Sequence, residues 1–346
     1  MLRRSSRSIP SEPNGALATI ADGFSLVLAR PWLMIFPVVV DLLLWLGVQV
    51  SIKPFTTPFA RLMRESGGAN GDEASRQILA LGESVRLNDL LALFLPSVFA
   101  GLPRDNAFNW LVSALFPPLT SGIDRRAMYR NWGSGLFGAW FPPQWVAVLT
   151  LAMVFVLAAT LLAIAFRVPI ARAVRHSNGL PTATSGVREA PMAWLRLIGL
   201  LGLGILVVCA VIIPFVLIAL LMLIFGAGLA FLIAFGCFGL GAMGAIYVYF
   251  ALDIAMLDGV GPITAIRSSF WMVRGRFGEC ARFALACIVI QTGLLRVWHV
   301  LAESPPGIAL ALLTNAFVGA GIVAATMLFI ARRPDRAIPP PRPIRH

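Results

Sequence analysis

Asp41 and Arg296 stand inside apolar runs, where a charged side chain has to answer for itself. A charge at mid-bilayer costs about 3 kcal/mol or more, so such groups turn to the protein interior or to a water-filled space. Asp41 lies about ten residues into the run 31–51, near mid-depth, and Arg296 about fifteen residues into the run 281–301. Straight helices would hold the two charges on the order of 8 Å apart along the membrane normal. Direct pairing then needs the length of the Arg side chain, helix tilt or a bridging water, and Gln291 offers Asp41 a neutral alternative. Two chemistries stay open for this polar site. One is a structural ion pair or polar contact, and the other is a proton or ion site linked to transport. Asp253 sits near the end of another apolar run and reads as an interfacial partner for Arg196 or Arg267.

Other chemistry finds no residues to carry it. The three histidines, His176, His299 and His346, are scattered, and no HExxH pattern or His/Cys cluster with zinc spacing occurs. Gly133-Ser134-Gly135 lacks the glycines two positions either side of the serine that a nucleophile elbow requires. No phosphate-binding loop of the Walker type is present. Cys209, Cys237, Cys280 and Cys287 all fall in or beside apolar segments and imply neither a disulfide framework nor a metal site. The reading is of a protein that is not an enzyme, with no catalytic residues, no metal and no cofactor.

The elements that hold these charges are set by hydrophobicity. From Leu197 to Leu252 no residue is charged, which is length enough for two helices across a bilayer core of ~30 Å. Hydrophobic residues make up 58% of the chain and charged residues 13%, and mean hydropathy is +0.84, far from a soluble domain. The formal charge of +12 does not point to nucleic acid, because the arginines sit at the ends of apolar runs and not in one water-exposed patch. Apolar runs at 31–51, 144–166, 195–224, 227–254, 281–301 and 307–331 predict an all-α, polytopic transmembrane helix bundle of about six crossings. Pro214 should kink the third. Small residues make two packing faces, Gly236, Gly239, Gly241, Gly244 and Ala245 in the fourth run and Ala316, Ala320 and Ala324 in the sixth; they also offer a surface for self-association.

Orientation follows from the arginines. Segments 1–30, 167–196, 253–282 and 332–346 hold 18 arginines against 7 acidic residues, so both termini are expected in the cytoplasm of a bacterial inner membrane. The segment after Arg3, Arg4 and Arg7 is amphipathic and carries Asp22, which predicts a chain retained without cleavage. The chain divides into a disordered tail 1–13, an interfacial helix and first crossing 14–52, an insert 53–143, five further crossings over 144–331, and a Pro/Arg-rich tail 332–346. The insert is expected outside. It has helix-like pieces near 72–85 and 87–99, then an aromatic tract from Phe108 to Trp145 suited to the membrane interface, so it reads as a cap on the outer leaflet.

Two segments repeat. With Phe24 set against Phe270, Leu17 matches Ile263, Ile20 matches Ile266, Val27 matches Val273 and Arg30 matches Arg276. Spacings of three and four residues put 17, 20, 24, 27 and 263, 266, 270, 273 each on one face, as in an amphipathic helix lying in the interface. Asn14 is the expected N-cap of the first, and Gly261-Pro262 the start of the second. A third candidate, 183–194, holds Val187, Arg188 and Trp194 but also Pro191. Arg30, Arg267, Arg274 and Arg276 are the candidate contacts to lipid headgroups.

Asp258-Gly259-Val260-Gly261-Pro262, with Ala265 to Phe270 and Val273-Arg274-Gly275-Arg276-Phe277 beyond, resembles the bacterial family named for the membrane domain of glycerophosphoryl diester phosphodiesterases. Gly23-Phe24 through Arg30-Pro31-Trp32, with Pro37 and Asp41, is similar to the start of such domains. The resemblance implies a fold and a membrane role. It does not imply the named activity, which belongs in that family to a separate soluble barrel for which this sequence has no polar segment. The function read from the sequence is a scaffold, assembly or lipid-interacting subunit, with membrane lipids and other membrane proteins as partners; the alternative is a secondary transporter of a small molecule or lipid.

Overall fold

The structure, a computed structural model, describes residues 15–66, 71–72, 75–76, 78–80, 82, 86–92, 94–98, 139–140, 145–180, 190–206, 243–244, 246–301 and 304–333. Its architecture is all-α. The helices are α1 (Ala16–Leu28), α2 (Ile35–Leu46), α3 (Lys53–Ser66), α4 (Trp145–Ser177), α5 (Ala190–Leu206), α6 (Ala251–Asp258), α7 (Pro262–Gly275), α8 (Phe277–Leu301) and α9 (Pro305–Ala331), with 3-10 turns at Pro31–Met34 and Leu87–Ala92. The extended pieces Gln49–Val50 and Ala139–Trp140 pair in parallel over two residues, too few for a sheet.

Among the described residues two helices are long and apolar enough to cross a membrane, Val146–Ser177 and Pro306–Ala331, or three if the bent pair Ala16–Leu28 and Pro31–Leu46 is one span. The third and fourth expected crossings, with Pro214 and Gly236 to Gly241, lie largely outside the described residues. α4 continues beyond its apolar stretch at Arg167, since about 20 residues already cover a bilayer core. The first expected crossing is shorter than its apolar run. Its helix stops at Leu46 because Gly47 turns the backbone extended (φ −73°, ψ 171°), and the chain enters the short pairing at Gln49. α1 and the stretch from Pro31 to Leu46 meet at 97°, so a single straight axis cannot contain both.

α1 makes its main contact along α9. Gly23 allows the approach: a Cβ there would lie 2.6 Å from the Ala325 Cβ and from the Gly321 carbonyl oxygen. Phe24 fills the neighbouring space beside Phe317, with ring centroids 5.4 Å apart. Ala316, Ala320 and Ala324 are fully buried within the chain, as a small-residue packing face requires. The core of the bundle centres on Phe250, Phe283 and Phe329; the last two stack at 4.2 Å.

The repeat seen in sequence is carried by the backbone. Gly15 (φ −54°, ψ 161°) and Gly261 (φ −69°, ψ 165°) cap α1 and α7; the cap of α1 is thus Gly15, one residue beyond the expected Asn14. Arg30 (φ −140°, ψ 66°) and Arg276 (φ −144°, ψ 52°) break the two helices with the same dihedrals. Their carbonyls then accept from Leu33 and Glu279, which are equivalent positions, each at 3.1 Å. Burial follows the same register: Thr19, Gly23 and Val27 in α1 correspond to Ala265, Ser269 and Val273 in α7, all buried. Leu17 and Ile263 are both 74% exposed. The apolar positions Ile263 and Phe270 are thus on the outward side of α7, and the small residues at i, i+4 and i+8 face the bundle because close helix contact selects for them. The third candidate, 183–194, differs: its described part belongs to α5, which runs on unbroken to Leu206.

The insert is more than a cover. The described positions between 71 and 82 are helical, and after the turn Leu87–Ala92 the chain reaches into the core, where Ala92, Leu95 and Val98 are fully or almost fully buried. Pro96 occupies the space that a side chain at Gly319, the middle of α9, would need. The aromatic tract lies almost wholly outside the described residues.

Candidate functional site

Asp41 is fully buried on α2, and its carboxylate is held by the insert. The Ser97 hydroxyl donates to Asp41 Oδ1, and the Val98 backbone N–H donates to both carboxylate oxygens at 3.3 Å. Residues 94–98 are not helical: the Leu95 N–H donates to the Ala92 carbonyl at 3.1 Å, Pro96 has no N–H, and the buried Val98 N–H needs an acceptor from elsewhere. Asp41 supplies one. The expectation that it turns inward agrees with this geometry, and the partners described are Ser97 and Val98 of the insert. The Arg296 side chain lies outside the described residues, and Gln291 is half-buried on α8.

Asp253 is buried on α6 and pairs with Arg167 of α4. This corrects the expected partners, Arg196 and Arg267. The pair is deep in the packing, with side-chain exposures of 9% and 13%. Arg167 Nε has no hydrogen-bond partner, so the guanidinium depends on Asp253 for its charge. Two turns further along α4, Arg175 donates from Nε to the Leu257 carbonyl at 2.7 Å, and from Nη2 to the same oxygen. Leu257 belongs to the last turn of α6, where carbonyls lack helical partners, and Gly259 closes that turn in the left-handed conformation (φ 68°). Arg167 and Arg175 therefore clamp α6 at two points, one by charge and one by capping.

A second group of charges ties the far end of α9 to its neighbours. Arg332 reaches Asp22 of α1 at 2.5 Å. Arg333 reaches Glu279 at 3.1 Å, lies over the Phe329 ring at 4.0 Å, and donates to Cys280 Sγ at 3.5 Å. Arg276, a candidate headgroup contact, is half-buried with Glu279 3.8 Å away. Arg30 is half-buried at the break between α1 and the following turn.

Arg267 and Arg274 are exposed on α7. Arg274 lies over the Trp271 ring at 5.4 Å, and Ile263, Phe270 and Trp271 are exposed beside them. The opposite face of the helix is fixed by the Ser269 hydroxyl, which donates to the Tyr247 carbonyl at 2.6 Å, while Phe270, partly exposed, touches the Tyr247 ring from the edge of the outward face at 4.9 Å.

Comparison with protein-family models, curated proteins and solved structures finds no match. The site has to speak through its own chemistry. No group of three His, Cys, Asp or Glu side chains comes together among the described residues. The buried carboxylates meet donors of the protein itself, Ser97 and Val98 at one and Arg167 at the other. Sequence reading missed these partners because they lie 56 and 86 residues away in the chain. One signal was present: Arg167 and Arg175 are eight residues apart, two i, i+4 steps, as Asp253 and Leu257 are one such step apart.

Proposed function

We propose that this is a non-enzymatic multi-pass protein of a bacterial cytoplasmic membrane that serves as a scaffold, assembly or lipid-interacting subunit, with both termini in the cytoplasm. The observation that carries the reading is that the buried carboxylates hold the fold together. Asp41 fastens the insert, and Asp253 fastens α6 to α4, so each is engaged before any substrate arrives. The small-residue contacts of Gly23, Ala316, Ala320 and Ala324 are packing of the same kind. The two tracts that resemble the membrane domain of glycerophosphoryl diester phosphodiesterases are the two copies of the repeat, which supports placing the chain with that family's membrane part and not its hydrolase.

A second reading, a secondary transporter of a small molecule or lipid, draws on the matched breaks at Arg30 and Arg276 and on the irregular chain beside Asp41. Paired discontinuities in a repeat are where transporters hold their cargo. Flux separates the two. In vesicles with a pH dye inside, the scaffold reading expects the wild type and Asp41→Asn to leak protons at the same rate as empty vesicles. Proton flux in the wild type that Asp41→Asn abolishes would overturn it in favour of transport.

Orientation has its own test. A single cysteine at Ser66 is expected to react with a membrane-impermeant thiol reagent applied outside, and one at Ser177 only after the membrane is opened. The reverse pattern inverts the topology.

A further inference from the structure

We infer that the outward face of α7 binds an anionic phospholipid by its headgroup, and that the equivalent face of α1 does not. This rests on the membrane reading above and names the partner of one surface. Because the two helices are copies in backbone and burial, each is a control for the other. The same positions point outward in both: Leu17, Ala18, Ala21, Ser25, Leu28 and Ala29 in α1, and their counterparts 246 residues later in α7. Ala18 gains a hydroxyl as Thr264, and three further counterparts change more in size or charge. Ala21 corresponds to Arg267, Ser25 to Trp271 and Leu28 to Arg274.

The substitutions are those that a phosphate at a membrane surface would select. Two guanidinium groups one turn either side of Trp271 offer forked donors, and the indole gives an apolar body that sits at headgroup level. Arg274 is exposed and already drawn over the Trp271 ring, its Cζ 5.4 Å from the ring centroid. α7 contains no acidic residue, whereas α1 contains Asp22, which Arg332 neutralises. Exposed Ile263 and Phe270 flank the arginines with apolar surface suited to acyl chains. Charge complementarity thus identifies the occupant as an anionic lipid of the leaflet, in contrast to the uncharged outward face of α1.

The test uses the full chain in mild detergent, with phosphatidylglycerol or phosphatidylcholine added and bound lipids counted by native mass spectrometry. Arg267→Ala with Arg274→Leu gives α7 the residues of α1. It is expected to weaken phosphatidylglycerol retention about 25-fold, each of the two basic residues near an anionic surface contributing roughly a factor of five, while phosphatidylcholine retention is unchanged. Unchanged phosphatidylglycerol retention, or an equal loss of both lipids, overturns the inference. Should that variant lose its thermal transition, Ala21→Arg with Leu28→Arg decides in the other direction: a gain of phosphatidylglycerol binding at α1 supports the inference, and no gain overturns it. Neither outcome depends on flux through Asp41, so the scaffold reading and the lipid face can fail separately.

Discussion

Asp253→Ala is expected to lower stability by about 3–5 kcal/mol, because it strands the Arg167 charge in a largely dry environment. Arg167 is 13% exposed and its Nε has no partner, so it has little means of finding water once the carboxylate is gone. The effect is read as a lowered unfolding midpoint in detergent. The double variant Arg167→Met with Asp253→Leu removes both charges together and should recover most of the loss, since a buried pair and an apolar pair of similar volume are near to equal in free energy. A single variant that unfolds like the wild type would show that water reaches Arg167 and that the pair is not a clamp.

Gly23→Leu should come next, with a loss of about 1–3 kcal/mol from overpacking. A Cβ alone at that position would press to 2.6 Å against both the Ala325 Cβ and the Gly321 carbonyl, and backbone cannot step aside as a flexible side chain can. α1 would have to lift from α9, carrying Phe24 away from Phe317 and loosening the Asp22–Arg332 pair. Ser25→Leu, two residues on and exposed, is the control; it should leave the unfolding midpoint within the usual range for a surface change, about 0.5 kcal/mol. Equal effects at 23 and 25 would mean that α1 is not seated on α9 through its glycine.

Much of the candidate site was legible before any tertiary contact was known. A carboxylate in an apolar run has to be engaged by something, so Asp41 could be singled out by position alone. Its partner could not. Ser97 and Val98 come from the insert, whose piece at 87–99 reads as a helix-like part of a cap on the outer leaflet, and nothing in a local window reveals that residues 94–98 fold back to the middle of α9. Asp253 was placed at an interface for the same reason: the arginines nearest in sequence are not those nearest in space.

For the helical elements the division is similar. The three-to-four residue spacing of apolar positions predicted helices at 15–30 and 262–276, and the Gly-Pro start of the second is where the chain places it. Periodicity gives a face, but in a membrane both faces are apolar enough to qualify, because lipid is as good a solvent for leucine as the protein interior. Which face turns inward is then decided by how closely backbones can approach. Gly23 and Ser269 win over Leu17, Ile263 and Phe270 on size, not hydrophobicity.

What the sequence determined by itself is the all-α class of the fold, since long uncharged runs leave a chain no way to satisfy its backbone in an apolar medium except as helices. It also determined the repeat, whose matched residues survive as matched dihedrals at Arg30 and Arg276. Tertiary structure alone decided that α1 folds along α9, that the insert supplies the donors for Asp41, and that Arg167 and not a neighbouring arginine answers Asp253. The physical reason is range: the hydrophobic effect and helix hydrogen bonds act over a few residues and are written locally, whereas ion pairs and close backbone contacts join positions that only the packed fold brings together.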